Sequence, residues 1–167
     1  MGELDLVVGR LEPSYAAPDL EAEAFFEEPM GIVARPDHAL AGKKRLGWDD
    51  LVALPWVVPP PWASSRIKLN QLFYKQGINP PADLIESASF LVMLTFMRQR
   101  PAIGFVACSV ARYLEKEGLA KVLNIKVPIE LPPVGLIMMR GRTRPPATAQ
   151  LIECLCSAAK VRRPVSP

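Results

Sequence analysis

The chain has 167 residues, half of them hydrophobic, with 20 basic and 17 acidic side chains and a formal net charge of +3. That length supports one domain or two small lobes with a real core, and the composition excludes a disordered tail. Net charge decides little, but no DNA-reading surface is expected: the densest basic run, Lys43-Lys44-Arg45, sits between Gly42 and Gly47 as a loop, and no stripe of Lys and Arg is visible.

In chain order, Leu4 to Val8 is expected to form a short strand ending at Gly9-Arg10, and Pro13 and Pro18 bracket a loop. From Leu20 to Phe26, apolar residues alternate with Glu21 and Glu23, the period-two pattern of a strand with one wetter face. Met30 to Ala34 is a strand stopped by Arg35-Pro36-Asp37, and Trp48 to Leu51 makes one or two helical turns ended by Pro55. Trp56-Val57-Val58 is a short buried strand that runs through Pro59 to Ser65 into a helix over residues 65–76. Leu69, Leu72, Phe73 and Gln76 share a face of that helix, and Gly77 supplies a left-handed stop.

Ile85-Glu86 closes the next strand, and Ser87 or Ser89 caps a helix that is apolar nearly all round from Phe90 to Met97, so burial on most sides is expected. Arg98 and Arg100 suit the negative end of its dipole, and Pro101 forbids continuation. Ala102 to Ala107 is then a continuous apolar strand containing Gly104, and Ser109 caps the following helix. Leu119 to Val127 is a strand-like run, and Val134 to Arg140 is a strongly apolar strand. The last helix opens at Pro145-Pro146, buries a stripe of Thr148, Leu151, Ile152, Leu155 and Ala159, and ends with Lys160, Arg162 and Arg163.

Strand, crossover helix and parallel strand within residues 85–118 would set two strand C-terminal ends side by side, each leading into a helix N-terminus. Open α/β sheets hold small ligands there. The middle of the chain, from Trp56 to Val127, makes a self-sufficient lobe. The two ends have too little helix to cover both faces of a parallel sheet, so residues before Met1 are expected to be missing. No apolar run approaches the roughly 18–20 residues of a membrane span, and Met1 to Asp5 lacks the zones of a secretory signal. Three cysteines at no metal-ligand spacing suit a reducing cytoplasm.

Several stretches, in order, resemble the effector-binding domain of LysR-type transcriptional regulators: GELDLVVGR, EEPMGIVARPDHALA, LGWDDLVALPWVVPP, IESASF, IGFVACSVARYLEKEGL and LPPVGLIMMR followed by PPATAQLIECL. The resemblance covers nearly the whole chain. It implies an α/β, two-lobed fold of the type 2 periplasmic-binding-protein kind, with the ligand held between lobes joined by two crossing segments. Mapped onto this sequence, residues 1–28 plus 137–163 form a partial first lobe and 29–136 a complete second lobe. The crossings fall near 28–34 and 133–137, with 164–167 as a tail. By the same mapping the DNA-binding helix-turn-helix, the linker helix and the start of the first lobe are absent. A truncated chain or a reading frame that starts late is therefore expected, and DNA binding transfers to no residue here.

The implied function is effector sensing: a small organic acid, aromatic acid or sugar would control transcription in the full-length protein, without catalysis and without a cofactor or metal. The alternative is an enzyme or solute-binding protein on the same architecture. It would need a nucleophile–base pair or converging carboxylates, but the acidic residues are scattered and the single His38 lies in a loop. A homodimer or higher oligomer is expected, because a partial lobe leaves open sheet edges and apolar helix faces.

The candidate ligand-binding residues are Arg10, Pro60, Trp62, Ser64, Ser65, Ser87, Ser89, Phe105 and Val106. Ser64 and Ser65, beside Arg66, open a helix after a strand, where they cap it and can also grip a carboxylate or hydroxyl. Trp62 can stack on a ring or sugar or serve lobe packing. Ser87 and Ser89 are N-caps first and ligand hydroxyls second. Phe105 and Val106 face opposite ways along a strand, so one could floor a crevice. Arg10 is either an anion partner from the first lobe or a solvated loop arginine. Cys108 precedes a helix start but has no resolving partner, Cys154 and Cys156 fill core, and His38 is structural.

Overall fold

The computed structural model describes residues 4–161. Its contacts divide the chain into two compact units, one built from the segment up to Glu28 together with the segment from Leu131, the other from Pro29–Glu130. The sequence reading ends the second lobe later, at residue 136, yet the strand Val134–Met139 lies wholly in the first unit.

In the first unit, β1 (Leu6–Arg10) and β2 (Leu20–Phe26) both pair antiparallel with β8 (Val134–Met139), which is therefore the central strand. The first strand lies two residues further on than the sequence pattern suggests, because Leu6 to Arg10 is the stretch in register with Met138 to Val134. On one face, Leu136, Met138 and Ile152 form a buried cluster with Leu6, Phe25 and Leu155 beneath α5 (Pro146–Val161). Leu151, expected in that buried stripe, is half exposed, as are Val7 and Val8 of the edge strand β1. Cys154 is exposed and is not the core filler expected of it. Gly135 is required here: a Cβ on it would collide with the backbone carbonyl of Glu23, next to the bulge at Ala24 and Phe26. Arg162 and Arg163 lie outside the described residues.

The second unit is a five-stranded sheet in the order β5-β4-β6-β3-β7. Its strands are β3 (Met30–Ala34), β4 (Trp56–Val58), β5 (Leu84–Glu86), β6 (Ile103–Ala107) and β7 (Lys121–Val122). The sequence reading sets the strand ending at Glu86 directly beside Ala102–Ala107; instead β4 lies between them, parallel to both. The burial explains the order. All three residues of β4 are buried, which needs a neighbour on each side, whereas β5 is only partly covered and takes the edge. The run from Leu119 to Val127 pairs only at Lys121 and Val122, against Ala34 and Val33, so most of that expected strand is irregular.

Four helices complete this unit: α1 (Asp49–Val52), α2 (Ser64–Lys75), α3 (Phe90–Gln99) and α4 (Cys108–Lys116). Leu69, Leu72 and Phe73 of α2 are buried, and both Trp48 and Trp56 meet the Phe73 ring edge-on at 5.6 Å. Gly77, at φ +70°, ends α2 as expected. Helix α3 departs from expectation. Only Met93 and Met97, one i, i+4 stripe, are buried, while Phe90, Leu91 and Val92 are exposed by 50%, 75% and 37%. Leu94 and Phe96 are partly buried against the same core cluster as the two methionines, whereas Phe90, Leu91 and Val92 have nothing of this unit to cover them. The contact of α3 with the sheet is close because β6 has no side chain at Gly104: a Cβ there would run into the Met93 side chain and lie 3.1 Å from Val33 Cγ2.

His38 is buried and structural. Its Nδ1 accepts from the Leu40 amide at 3.1 Å, which leaves Nε2 to donate to the Pro101 carbonyl at 3.3 Å. Gly104→Ala is expected to cost about 1–3 kcal/mol by overpacking, and Gly135→Ala more, because it meets rigid backbone and not a flexible Met side chain. Urea midpoints of the two variants measure this; equal stability losses would contradict it. His38→Ala should cost about 1–3 kcal/mol in the same assay by stranding the Leu40 amide.

Candidate ligand site

Because β4, β5 and β6 run parallel, their C-terminal ends lie along one edge of the sheet. Each continues directly toward a helix: β4 into α2, β5 into α3 and β6 into α4. Strand β3 runs the other way, so its first residue, Met30, pairs with Ala107 at the same edge. Six of the nine candidate residues fall on this edge. Pro60, Trp62, Ser64 and Ser65 follow β4, and Ser87 and Ser89 follow β5. A hydrogen bond from the Ser87 amide to the Val58 carbonyl, 2.9 Å, ties the two groups together.

The local roles of these residues differ from the sequence reading. Neither Ser64 nor Ser65 caps α2: Ala63 takes the extended N-cap position, at φ −69° and ψ 131°, and no side chain bonds the free amides. Ser64 is the first helical residue, so its hydroxyl is not used as a cap, and Ser65 is buried. Ser109 is likewise not the N-cap, a position held by Ala107, since α4 already begins at Cys108, whose amide donates to the Pro29 carbonyl at 2.8 Å. Ser89 does cap α3, accepting from the Val92 amide at 3.4 Å, and the Ser87 hydroxyl accepts from the Ser89 amide at 3.0 Å. Trp62 is 80% exposed and packs into no core. An open indole just ahead of a helix start is suited to a small ring or polyol, whose faces are apolar and whose rim is polar.

Phe105 and Val106 are 2% and 4% exposed, so both serve as core of the second unit and neither side chain is open at its surface. Arg10, in the first unit, is not a solvated loop arginine: it is partly buried and bonded to the backbone. Its Nη1 donates to the Pro132 carbonyl at 2.9 Å and its Nη2 to the Glu28 carbonyl at 2.7 Å. Burial lowers its pKa, opposed by the nearby carboxylates of Glu28, Glu12 and Glu27.

A buried arginine on α2 also ties this edge together. Arg66 is almost fully buried and donates from Nε to Asn70 Oδ1 at 3.0 Å and from Nη1 to Glu86 Oε1 at 3.2 Å. Its i, i+4 spacing to Asn70 was available as a signal; its reach across to the end of β5 was not. Among the described residues, no three His, Cys, Asp or Glu side chains are grouped to hold a metal, and no helix is long and apolar enough to cross a membrane.

The profile of the LysR substrate binding domain matches residues 1–160. Among curated proteins, the chain is 26% identical over 165 residues to the HTH-type transcriptional regulator GbpR of Azospirillum brasilense, covering 97% of this chain and 48% of that protein. It is also 26% identical over 155 residues to the HTH-type transcriptional regulator GalR of Pseudomonas putida, covering 93% of this chain and 39% of that one. The chain thus spans half or less of the length of these relatives. Among solved structures, the regulatory domain of CcmR from Synechocystis PCC6803, in complex with 2-PG, superposes with a TM-score of 0.75 at 18% identity, covering 95% of this chain and 75% of that one. The effector binding domain of QuiR in complex with shikimate gives 0.67 at 19% identity, covering 95% and 73%. With the fold and nearly the entire sequence in agreement, the chain belongs to the LysR substrate-binding domain family, with its type 2 periplasmic-binding-protein-like α/β fold.

Proposed function

We propose that this chain is the effector-sensing part of a LysR-type transcriptional regulator, and that the second unit receives the effector on its serine-bearing edge. The observation that carries this reading is the gathering of Ser64, Ser87, Ser89 and the exposed Trp62 where parallel strands β4 and β5 end. Two similar structures were determined with small molecules, 2-PG in one and shikimate in the other, which supports a small organic acid, aromatic acid or sugar as effector here. Hydroxyls and amides at a helix start can bind any of these by directional hydrogen bonds, with the indole covering an apolar face. The chain acts as a sensor, not an enzyme: binding shifts a conformational equilibrium, and a DNA-binding segment elsewhere in the full-length protein reads that shift. Such a regulator works in the cytoplasm, with its DNA.

Self-association belongs to the same reading. Phe90, Leu91 and Val92 on α3, and Val7 and Val8 on the edge strand β1, are apolar and open, which favours pairing with another copy of the chain.

A thermal-shift screen of small hydroxy acids, aromatic acids and sugars tests the sensor. A ligand at about a hundred times its Kd adds about 2.7 kcal/mol, a shift of several degrees. Ser64→Ala combined with Ser87→Ala should abolish that shift with the fold intact, and the ligand should be recovered unchanged. Turnover of the ligand would falsify the sensor reading, and a shift that survives both substitutions would remove the serine edge from it. For assembly, sedimentation should show a dimer or larger species that Leu91→Glu weakens; a strictly monomeric parent chain at micromolar concentration is the contrary result.

A further inference from the structure

Helix α2 carries a cation where a helix least favours one. Arg66 is its third residue, in the first turn, where the amide dipoles present positive charge, and its side chain is only 8% exposed. A guanidinium buried there persists only if its donors find acceptors. Two of them do: Nε donates to Asn70 Oδ1, one turn along the same helix, and Nη1 donates to Glu86 Oε1. The first bond orients the guanidinium on its own helix. The second carries it to another element.

That element is weakly held by the sheet alone. Strand β5 has three residues, lies at the edge with β4 as its neighbour, and is only partly covered. Glu86 is its last residue, and a run of short-range bonds follows. The Ser87 amide donates to the Val58 carbonyl, the Ser89 amide to Ser87 Oγ, and the Val92 amide of α3 to Ser89 Oγ. Among the described residues, the Arg66–Glu86 ion pair is the one side-chain hydrogen bond that joins α2 to this stretch. Ser64 stands on α2 and is held by the helix itself. Ser87 and Ser89 are fixed to β4 by the backbone, but to α2 by the guanidinium.

We infer that Arg66 is a positioning residue of the serine edge: acting through Glu86, it holds the Ser87–Ser89 turn in place beside the start of α2 before any effector arrives. The functional meaning rests on the reading of that edge as the effector's site; the positioning does not. An effector that meets both groups of hydroxyls finds them already ordered, so none of its binding free energy is lost to ordering them.

Amide hydrogen exchange of the ligand-free chain is the test, and a failure of the effector reading would not touch its result. In Arg66→Met, protection of the Ser87 and Ser89 amides should fall about tenfold or more, the effect of one lost charge-assisted hydrogen bond. Ile103, whose amide donates to the Pro55 carbonyl, should keep its protection. An equal loss at all three amides would make Arg66 a general brace and overturn the positioning role, and so would unchanged protection at Ser87 and Ser89. Glu86→Gln keeps an acceptor oxygen in place and should retain most of the protection; a loss as large as in Arg66→Met is the contrary result. Adding Glu86→Ala to Arg66→Met should lower protection no further, and a further fall would overturn the route through Glu86. If Arg66→Met does not fold, Asn70→Ala frees the guanidinium without removing it. That variant should loosen the same two amides alone, and unchanged exchange there would count against the proposal.

Discussion

The close approach of Met93 to Gly104 is the contact on which the second unit depends. Strand β6 is the middle of five, with β4 parallel on one side and β3 antiparallel on the other. A helix can lie near it only where no side chain intervenes, and Gly104 provides that place. Met93 enters it, and Met97 follows one turn later. Around the two sulfurs, Val33, Val57, Val106, Ala111 and Leu114 form one continuous buried cluster that joins α3, α4 and three strands. The position of α3 then fixes both of its ends: Ser89 beside the ends of the parallel strands, and Arg98 at the opposite edge.

Much of the local structure was legible in the sequence, and for physical reasons that can be named. Leu20–Phe26, Met30–Ala34 and Trp56–Val58 appear with the bounds their patterns suggest, because each is an apolar or alternating run bracketed by proline or charge. Long-range order was not legible. Whether β4 or β6 lies beside β5 depends on how completely each strand is buried by partners distant in sequence, which periodicity does not encode. The exposure of Phe90, Leu91 and Val92 was misread for a related reason. An apolar helix in a sequence implies burial by something, and the something need not be in the same unit.

At the proposed ligand edge, the serines stood out because a hydroxyl between a strand and a helix caps the helix and can also meet a ligand. Their individual roles could not. Ser89 caps and Ser64 does not, a distinction set by the extended backbone of Ala63, one residue away from where the pattern points. Arg10 shows the same limit from the other direction: an arginine past a strand end suggests an exposed cation, yet its two bonds go to the carbonyls of Glu28 and Pro132. Both carbonyls lie far from it in sequence, so only the folded chain reveals that this guanidinium is a clasp on the backbone.

The antiparallel course of β3 has a mechanical meaning. Because Met30 stands opposite Ala107, the polypeptide enters the Pro29–Glu130 unit at the edge that carries the serines, and not at the far side. The Pro29 carbonyl is at once part of that entry and the acceptor for the first amide of α4. The hydrogen bond from Cys108 to Pro29 and the pairing of Met30 with Ala107 together join the entry strand to the junction of β6 and α4. Entry strand and helix are thus joined at the same edge of the sheet that carries the serines.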